Sequence, residues 1–228
     1  MRAVLQMLGG MSLERTLEVE TAARDRVAEG TGPPSIFVVE HDPVYTVGRA
    51  GVKRAYPRGD ARRLPHVVAD GTPVVEVDRG GDVTWHGPGQ LVIHPVLPLK
   101  RLGVSLIGYI RALERCAIAA LATLGVNAGC REGLTGTWVG DEKLGFIGIA
   151  CRKWVTYHGM SVNVTCDLDA FSSIVPCGIP GCAVTSLARL VASPPSIEEL
   201  GRALAEELCR EVGLELSERP VVEEVTRG

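Results

Sequence analysis

The chain has 228 residues, a length that suits one large domain or two small ones at roughly 150 residues per domain. Hydrophobic residues make up 46% and charged residues 22%, which is typical of a folded globular protein and argues against a disordered chain. The 24 basic and 27 acidic residues give a net charge of −3, so the excess of positive charge that general nucleic-acid binding needs is lacking.

Cysteine usage and hydropathy predict a reducing compartment. The seven cysteines are odd in number and include no CxxC pair, which argues against a disulfide framework or a zinc cluster. The apolar part of Met1–Leu8 is too short for a secretory signal, and no stretch of 18 apolar residues could span a membrane. We therefore predict a cytoplasmic protein with free thiols and no membrane partner.

In chain order, the first predicted element is a helix from Ser12 to Ala28, capped by Ser12 and ended by Gly30. Short β-rich runs bounded by turn residues follow it. These predicted strands are Ser35–Glu40, Pro73–Asp78, Asp82–Trp85 and Leu91–Leu97. Gly48–Pro65 is rich in Arg, Gly and Pro and is predicted to be a surface loop.

In the second half of the chain, Ser105 caps another predicted helix. Three β-like runs come next, with Gly140-Asp141 as a hairpin turn between the first two. They are Thr135–Val139, Lys143–Ala150 and Trp154–Val164. The last helix begins at Ser196, which forms a capping box with Glu199, and ends at Gly213.

This order of elements predicts the fold class. Strands form a central block, with helices before, between and after them, which favours an α+β domain with a mixed or antiparallel sheet flanked by helices. No repeat or linker divides the chain, so we predict one domain over residues 1–228, with residues 214–228 as a small extra strand or tail.

One polar, glycine-rich segment has the composition of a binding loop. Residues 79–90 read RGGDVTWHGPGQ, in which four glycines accompany Arg79, Thr84, His86 and Gln90. Glycines alone would indicate two tight turns, but polar groups gathered on glycine loops between strands are typical of a binding site. The spacing matches neither a dinucleotide-binding loop nor a Walker phosphate loop.

Cys177 is the candidate nucleophile. It lies between Pro176 and Gly178, in a bend that should expose its thiol, whereas a free cysteine is more often a small buried hydrophobe. The buried interpretation fits four other cysteines, which lie in apolar helices or beside strands, and Cys182 remains ambiguous. Those four are Cys116, Cys151, Cys166 and Cys209.

Three residues are candidates for the group that activates the thiol. Lys143 heads an apolar strand in a chain with only four lysines, and a lysine beside a thiol either stabilises the thiolate or accepts its proton. His158 and His86 are the alternatives, and spacing does not choose among the three. His41 and His66 are predicted to lie in turns, and His94 in the core or at its rim.

Five segments together resemble the lipoyl(octanoyl) transferase family, in that family's order. They read HDPVYTVGR, RGGDVTWHGPGQLV, EKLGFIGI, HGMSVNV and FSSIVPCGIPGCAVTSL, and they lie between His41 and Leu187. Trp85 and His94 stand where many members have tyrosine, and Phe146 stands where a small residue is usual. We expect these departures to reshape the acyl pocket.

The resemblance implies the fold of the biotin and lipoate protein ligases and a role for each block. Cys177 is the implied acyl acceptor, which forms a thioester, and Lys143 the residue that activates it. The other implied residues bind substrate. These are Arg79, Gly80, Gly81, Asp82, Val83, Thr84, Trp85, His86, Phe146, Ile147, Gly148, Gly159, Met160 and Ser161.

The implied reaction moves an octanoyl or lipoyl group from acyl carrier protein to one lysine of a lipoyl domain. The acyl group arrives on phosphopantetheine, so no cofactor, ATP or metal is expected. The implied acceptors are the lipoyl domains of 2-oxoacid dehydrogenase complexes and the glycine cleavage H protein. Both kinds of partner are expected to be acidic, and the loop that carries Arg49, Arg54, Arg58, Arg62 and Arg63 either steers them or is simply solvated.

Three alternatives remain open. An ATP-dependent lipoate or biotin ligase on the same fold would need no nucleophilic cysteine, and the chain lacks the GRGRxGR loop of biotin ligases. A cysteine hydrolase would pair Cys177 with His158. A non-catalytic module would bind acyl chains or their carrier without being acylated.

Overall fold

The computed structural model describes residues 1–55, 71–179 and 181–218. Its strands are β1 (Arg2–Met11), β2 (Ser35–His41), β3 (Val44–Val47), β4 (Val74–Glu76), β5 (Val83–His86), β6 (Gln90–Val96), β7 (Gly129–Arg131), β8 (Leu134–Val139), β9 (Glu142–Arg152), β10 (Val155–Asn163) and β11 (Glu215–Glu218). Its α-helices are α1 (Leu13–Glu29), α2 (Arg49–Ala55), α3 (Leu99–Leu102), α4 (Leu106–Ala122), α5 (Leu187–Leu190) and α6 (Ile197–Val212). Two 3₁₀ turns cover Leu168–Ser173 and Pro176–Gly178.

A mixed sheet of eight strands forms the centre of the fold, in the order β11-β1-β2-β6-β10-β9-β8-β7. The β1 strand pairs in parallel with β2 and β11, and the remaining pairs are antiparallel. A smaller sheet, β4-β3-β5, contains the middle of the glycine-rich segment 79–90, in β5. The predicted α+β class with a mixed sheet and flanking helices is confirmed.

Helices pack on both faces of the large sheet, and its central strands are therefore buried on both sides. Ile36 and Val38 of β2 belong to the main core with α4 and α6, whereas Phe37 packs with Ala23 and Val27 of α1. Alternate side chains of one strand point to opposite faces, so α1 lies opposite α4 and α6. In the described residues, no helix is long and apolar enough to cross a membrane.

The helix ends agree with the predicted caps. The Ser12 side chain accepts from the Arg15 amide, and Gly30 ends α1 in the left-handed conformation. Ser105 caps α4, and Ser196 and Glu199 form the capping box of α6. Each cap satisfies backbone groups that a helix end would otherwise leave unpaired.

Three local predictions were wrong or incomplete. The start of the predicted loop Gly48–Pro65 is helical, since Arg49–Ala55 forms α2, and residues 56–70 lie outside the described part. The strands β1, β3 and β7 were not predicted. Of the proposed tail, Glu215–Glu218 pairs with β1, while residues 219–228 are not described.

Candidate active site

The Cys177 thiol and the Lys143 amine form the centre of the candidate site. Nζ of Lys143 lies 3.1 Å from Sγ of Cys177 and donates a second hydrogen bond to the Thr135 carbonyl oxygen at 2.9 Å. Lys143 is only 2% exposed, although lysine is almost never buried without a partner. An amine held beside a half-buried thiol can stabilise the thiolate or accept its proton.

Aromatic rings and one glycine hold Lys143 in place on β9. Its Nζ lies 5.2 Å from the centroid of the Trp138 ring and 5.1 Å from that of Phe146, within the range of cation–π attraction. Gly136 has a φ of +123°, and a Cβ there would lie 2.8 Å from Cε of Lys143 and 2.5 Å from the Gly145 carbonyl oxygen. Glycine at 136 therefore leaves the space that the lysine side chain needs.

The turn that carries Cys177 is fixed by backbone pairing on its C-terminal side. Cys177 lies in the 3₁₀ turn Pro176–Gly178 with φ 55° and ψ 15°, a left-handed conformation that non-glycine residues rarely adopt outside constrained sites. Further along, the Lys143 amide donates to the Ala183 carbonyl (2.8 Å), and the Thr185 amide donates to the Lys143 carbonyl (3.0 Å). The backbone of the base candidate thus anchors the segment that follows the nucleophile candidate.

A pocket of about 580 Å³, including the part open to solvent, extends from Cys177 between the two sheets. Its walls carry residues from three predicted blocks, one at the glycine-rich segment, one on β9 and one on β10. The predicted residues that line it are Arg79, Gly81, Asp82, Val83, Thr84, His86, Phe146, Ile147, Gly148, Gly159, Met160 and Ser161. The topology brings these blocks together because β9 and β10 are neighbouring antiparallel strands and the segment before β5 packs on β9.

Two of the predicted substrate-binding residues do not line this pocket. Gly80 is a backbone link to β9, since its N–H donates to the Ile149 carbonyl at 2.8 Å and its own carbonyl accepts from Arg79. The Trp85 ring lies 5.8 Å from Phe171, in an aromatic cluster that also contains Phe146 of the pocket wall. In strand β5 it points away from its neighbours Thr84 and His86, and that it reshapes the pocket stays a prediction.

Arg79 is a buried cation beside the thiol. Its Nη2 donates to both the carbonyl and the hydroxyl oxygen of Thr46 at 2.8 Å. Burial lowers its pKa to about 10, an effect that the attraction of Cys177 partly opposes, so it stays charged at neutral pH. A Cβ at Gly148 would lie 2.9 Å from Cδ of Arg79, which explains the glycine there.

The two histidines considered as alternative bases bond to other groups. Nε2 of His158 lies 2.9 Å from Oδ1 of Asp78, and Nδ1 of His86 lies 2.7 Å from Oε1 of Gln90. Burial lowers the pKa of His86 well below its usual value, so its ring is neutral. Within the described residues, Lys143 is the side chain that hydrogen-bonds the Cys177 sulfur.

Sequence reasoning missed part of the pocket wall. His41 was predicted to lie in a turn, but it ends β2, lines the pocket and places its ring 5.7 Å from that of His86. His94, which we expected to reshape the acyl pocket, does line it, two residues after Val92 on the same face of β6. That alternation was the signal available in the sequence. Leu13, Thr46, Val77, Val92 and His158 complete the wall.

Three of the remaining cysteines are buried, as predicted for a structural role. Burial raises the thiol pKa of Cys209 to about 11 and of Cys166 to about 12, and raises that of Cys116 as well. Such thiols stay protonated and unreactive at neutral pH. Cys151 and Cys182 are half-buried, with raised pKa values.

A family comparison agrees with this fold. The model of the lipoyl protein ligase A/B catalytic domain matches residues 12–209, so the chain carries the catalytic domain of that class of enzymes. In the structure this range runs from the cap of α1 to the last turns of α6 and includes both Cys177 and Lys143.

Known relatives narrow the class. An octanoyltransferase of Geobacter metallireducens is 41% identical to this chain, in an alignment that covers 89% of this chain and 90% of the relative. An octanoyltransferase of Syntrophotalea carbinolica is 44% identical, and that alignment covers 79% of this chain and 80% of the relative. The chain therefore belongs to the octanoyltransferase family. A solved lipoate protein ligase from Thermoplasma acidophilum superposes with a TM-score of 0.63 at 18% identity, covering 97% of this chain and 87% of that one, which supports the shared fold.

Proposed function

We propose that this enzyme transfers an octanoyl group from the phosphopantetheine thioester of acyl carrier protein to a lysine of a lipoyl domain, through a thioester on Cys177. The 3.1 Å contact between Nζ of Lys143 and Sγ of Cys177, at a pocket with apolar walls, carries the proposal. Membership of the octanoyltransferase family supports the nature of the acyl group.

In the first half-reaction, Sγ of Cys177 attacks the carbonyl carbon of the donor thioester. Lys143 holds the thiol proton as the carbon–sulfur bond to Cys177 forms, then delivers it to the departing phosphopantetheine thiol. One thioester replaces another, so the step is nearly balanced and needs no ATP. Arg79 places a positive charge in the wall of the pocket that Cys177 also lines.

In the second half-reaction, the lysine amine of the lipoyl domain attacks the acyl-enzyme carbonyl. An amide forms, the bond to Sγ breaks, and Lys143 returns the proton lost by the amine to Cys177. The change from thioester to amide is downhill. We propose that the lipoyl domains of 2-oxoacid dehydrogenase complexes and the glycine cleavage H protein are the acceptors.

The acyl tail lies along the apolar part of the pocket. Phe146, Ile147 and Met160 form apolar walls, and burial of the tail contributes ~5 kcal/mol at ~0.8 kcal/mol per methylene.

The oxyanion that forms when the thioester carbonyl is attacked needs other hydrogen-bond donors than the amides of Gly178 and Ile179. These two amides already donate to the Val175 and Pro176 carbonyls.

A second candidate is an ATP-dependent ligase that activates a free acid, because the matched family includes lipoyl protein ligases. A labelling experiment separates the two. Apo lipoyl domain is incubated with the enzyme and either octanoyl-acyl carrier protein without ATP or octanoate with ATP. The proposal predicts octanoylation of the domain in the first mixture. Labelling confined to the second would establish the ligase instead.

A further inference from the structure

A buried cluster of one carboxylate and two imidazoles lies behind the pocket wall. Glu20 comes from α1, His94 from β6 and His158 from β10, and each is at most 5% exposed. Nδ1 of His94 lies 3.0 Å from Oε1 of Glu20, while Nδ1 of His158 lies 3.8 Å from Oε2. The proposed transfer reaction uses none of these three residues.

Asp78 determines where the proton of His158 lies. Its carboxylate is 63% exposed and accepts hydrogen bonds from the Tyr157 hydroxyl and the His158 ring. Nε2 of His158, 2.9 Å from Oδ1 of Asp78, therefore carries a hydrogen, and in the neutral ring Nδ1 is left as a lone pair. That lone pair faces Glu20.

Glu20 and His94 provide the other two donor atoms. Nδ1 of His94 lies 3.0 Å from Oε1 of Glu20, and in the metal-free protein it donates a hydrogen bond to this carboxylate. A bound metal ion takes the place of that hydrogen, and the ring then carries its hydrogen on Nε2.

We propose that Glu20, His94 and His158 bind a divalent transition-metal ion, with Zn²⁺ the best match. One donor atom from each residue lies within 4.8 Å of the others, and a tetrahedral zinc site separates its donors by about 3.4 Å. Shifts of about 0.7 Å in each of the two most distant side chains would bring donor atoms that lie up to 4.8 Å apart to the zinc spacing of about 3.4 Å. Two histidines and one glutamate are a known zinc ligand set that leaves a fourth position open.

The surroundings resemble those of metal-bound histidines. A metal-ligating imidazole usually donates its other N–H to a carboxylate, which orients the ring, and Asp78 accepts that bond from His158. The backbone of His158 is left-handed, with φ 54°, and its amide donates to Glu20. Hydrogen bonds at its ring and at its backbone amide thus fix His158 with Nδ1 towards the Glu20 carboxylate.

The ion would act as an inhibitor, a consequence that rests on the proposed function. His94 and His158 line the same pocket as Phe146 and Cys177, so an ion with its remaining water ligand occupies space next to the acyl tail. We expect Zn²⁺ to slow acylation of Cys177, and a chelator to restore it.

Cobalt provides a direct test of the site, independent of activity. Chelator-treated protein is titrated with Co²⁺ and followed by visible absorption, in which thiolate ligation adds a sulfur-to-cobalt band. Wild type should bind one ion per chain without that band. Glu20→Gln should bind more than ~100-fold more weakly and Asp78→Asn ~10–100-fold more weakly. Glu29→Gln, an exposed carboxylate of the same helix, should match wild type.

Asp78→Asn keeps the test valid if Glu20→Gln does not fold, because the Asp78 side chain is 63% exposed. Equal affinity in wild type and Asp78→Asn, a thiolate band, or no binding at all would overturn the site. Binding that leaves the rate of Cys177 acylation unchanged would overturn only the inhibition. Absence of acylation in metal-free wild type would refute the proposed function and leave the binding result intact.

Discussion

Lys143 is an ionisable side chain in an almost fully buried position, and its contacts explain how it is tolerated there. The Thr135 carbonyl, the Cys177 thiol and two aromatic rings replace the water that it loses. These groups leave its nitrogen at hydrogen-bond distance from a single reactive atom. An apolar side chain would fill the same place at lower cost, which supports the chemical role that we propose for Lys143.

Replacement of Lys143 by methionine should separate its chemistry from its volume. Lys143→Met keeps a long unbranched side chain but removes the amine, so we expect the acylation of Cys177 to slow by ~10²–10⁴-fold, the range for loss of general acid–base catalysis. The rate is measured in a single turnover. Lys153→Met, at an exposed hairpin position, is the control and should keep the wild-type rate. Equal rates for both variants would remove Lys143 from the reaction.

Gly136 offers a second test of the lysine's position. In Gly136→Ala the new Cβ meets Cε of Lys143 and the Gly145 carbonyl, so the amine must move from the thiol and acylation should slow at least ~10-fold. Gly140→Ala is the matched control, because Gly140 also has positive φ but open space around it. If both variants lose activity equally, backbone strain rather than displacement of Lys143 is responsible.

The sequence alone indicated the residues of the site but not their pairing. Lys143, His158 and His86 were equal candidates for the base, because a sequence separation of 34 positions between Lys143 and Cys177 says nothing about the distance between their side chains. Only the family resemblance favoured the lysine. The pairing depends on β9 and on the segment 183–185 that bonds to it, a long-range contact that local patterns do not encode.

At the scale of elements, the long helices were predicted well, whereas short helices and some strands were missed. Capping residues mark helix ends locally, so both ends of α1 and α6 and the start of α4 could be located within a residue or two. The first strand, β1, gives no such signal. It contains Gly9 and Gly10 and is stabilised by parallel pairing with β2 and with β11, more than 200 residues away. Tertiary pairing determines such strands.

The capping box of α6 can be tested by a change in stability. Ser196→Ala removes the acceptor of the Glu199 amide, so the free energy of unfolding should fall by about 1 kcal/mol. Chemical denaturation measures this difference. Ser193→Ala, an exposed serine just before the helix, should change it by less than ~0.5 kcal/mol. Equal effects would mean that the cap contributes no stability.

At the scale of the whole molecule, the large sheet and the small sheet close around one polar-rimmed pocket. Four of the five histidines lie in its wall, contributed by β2, β5, β6 and β10. Burial lowers the pKa of His41, His86 and His158, so the stability of the protein depends on pH.

His41 gives this dependence a definite sign. Burial first, and the charge of His94 second, lower its pKa from 6.5 to about 4, so between these values the unfolded chain binds more protons. The contribution to stability is fully present above pH 6.5 and is lost as the pH falls towards 4, by about 3 kcal/mol at most. His41→Asn, which keeps an N–H for the Met11 carbonyl, should flatten the curve of unfolding free energy against pH in this window. Parallel curves for the two proteins would contradict the assignment.

The central claim is that the acyl group passes through a covalent bond to Cys177. Intact-protein mass spectrometry after brief mixing with octanoyl-acyl carrier protein, without ATP, tests it directly. We predict that wild type gains the mass of one octanoyl group, that Lys143→Met gains it slowly and that Cys177→Ala does not gain it. Addition of apo lipoyl domain should then move this mass to the domain. Octanoylation of the domain by Cys177→Ala at the wild-type rate would contradict the claim.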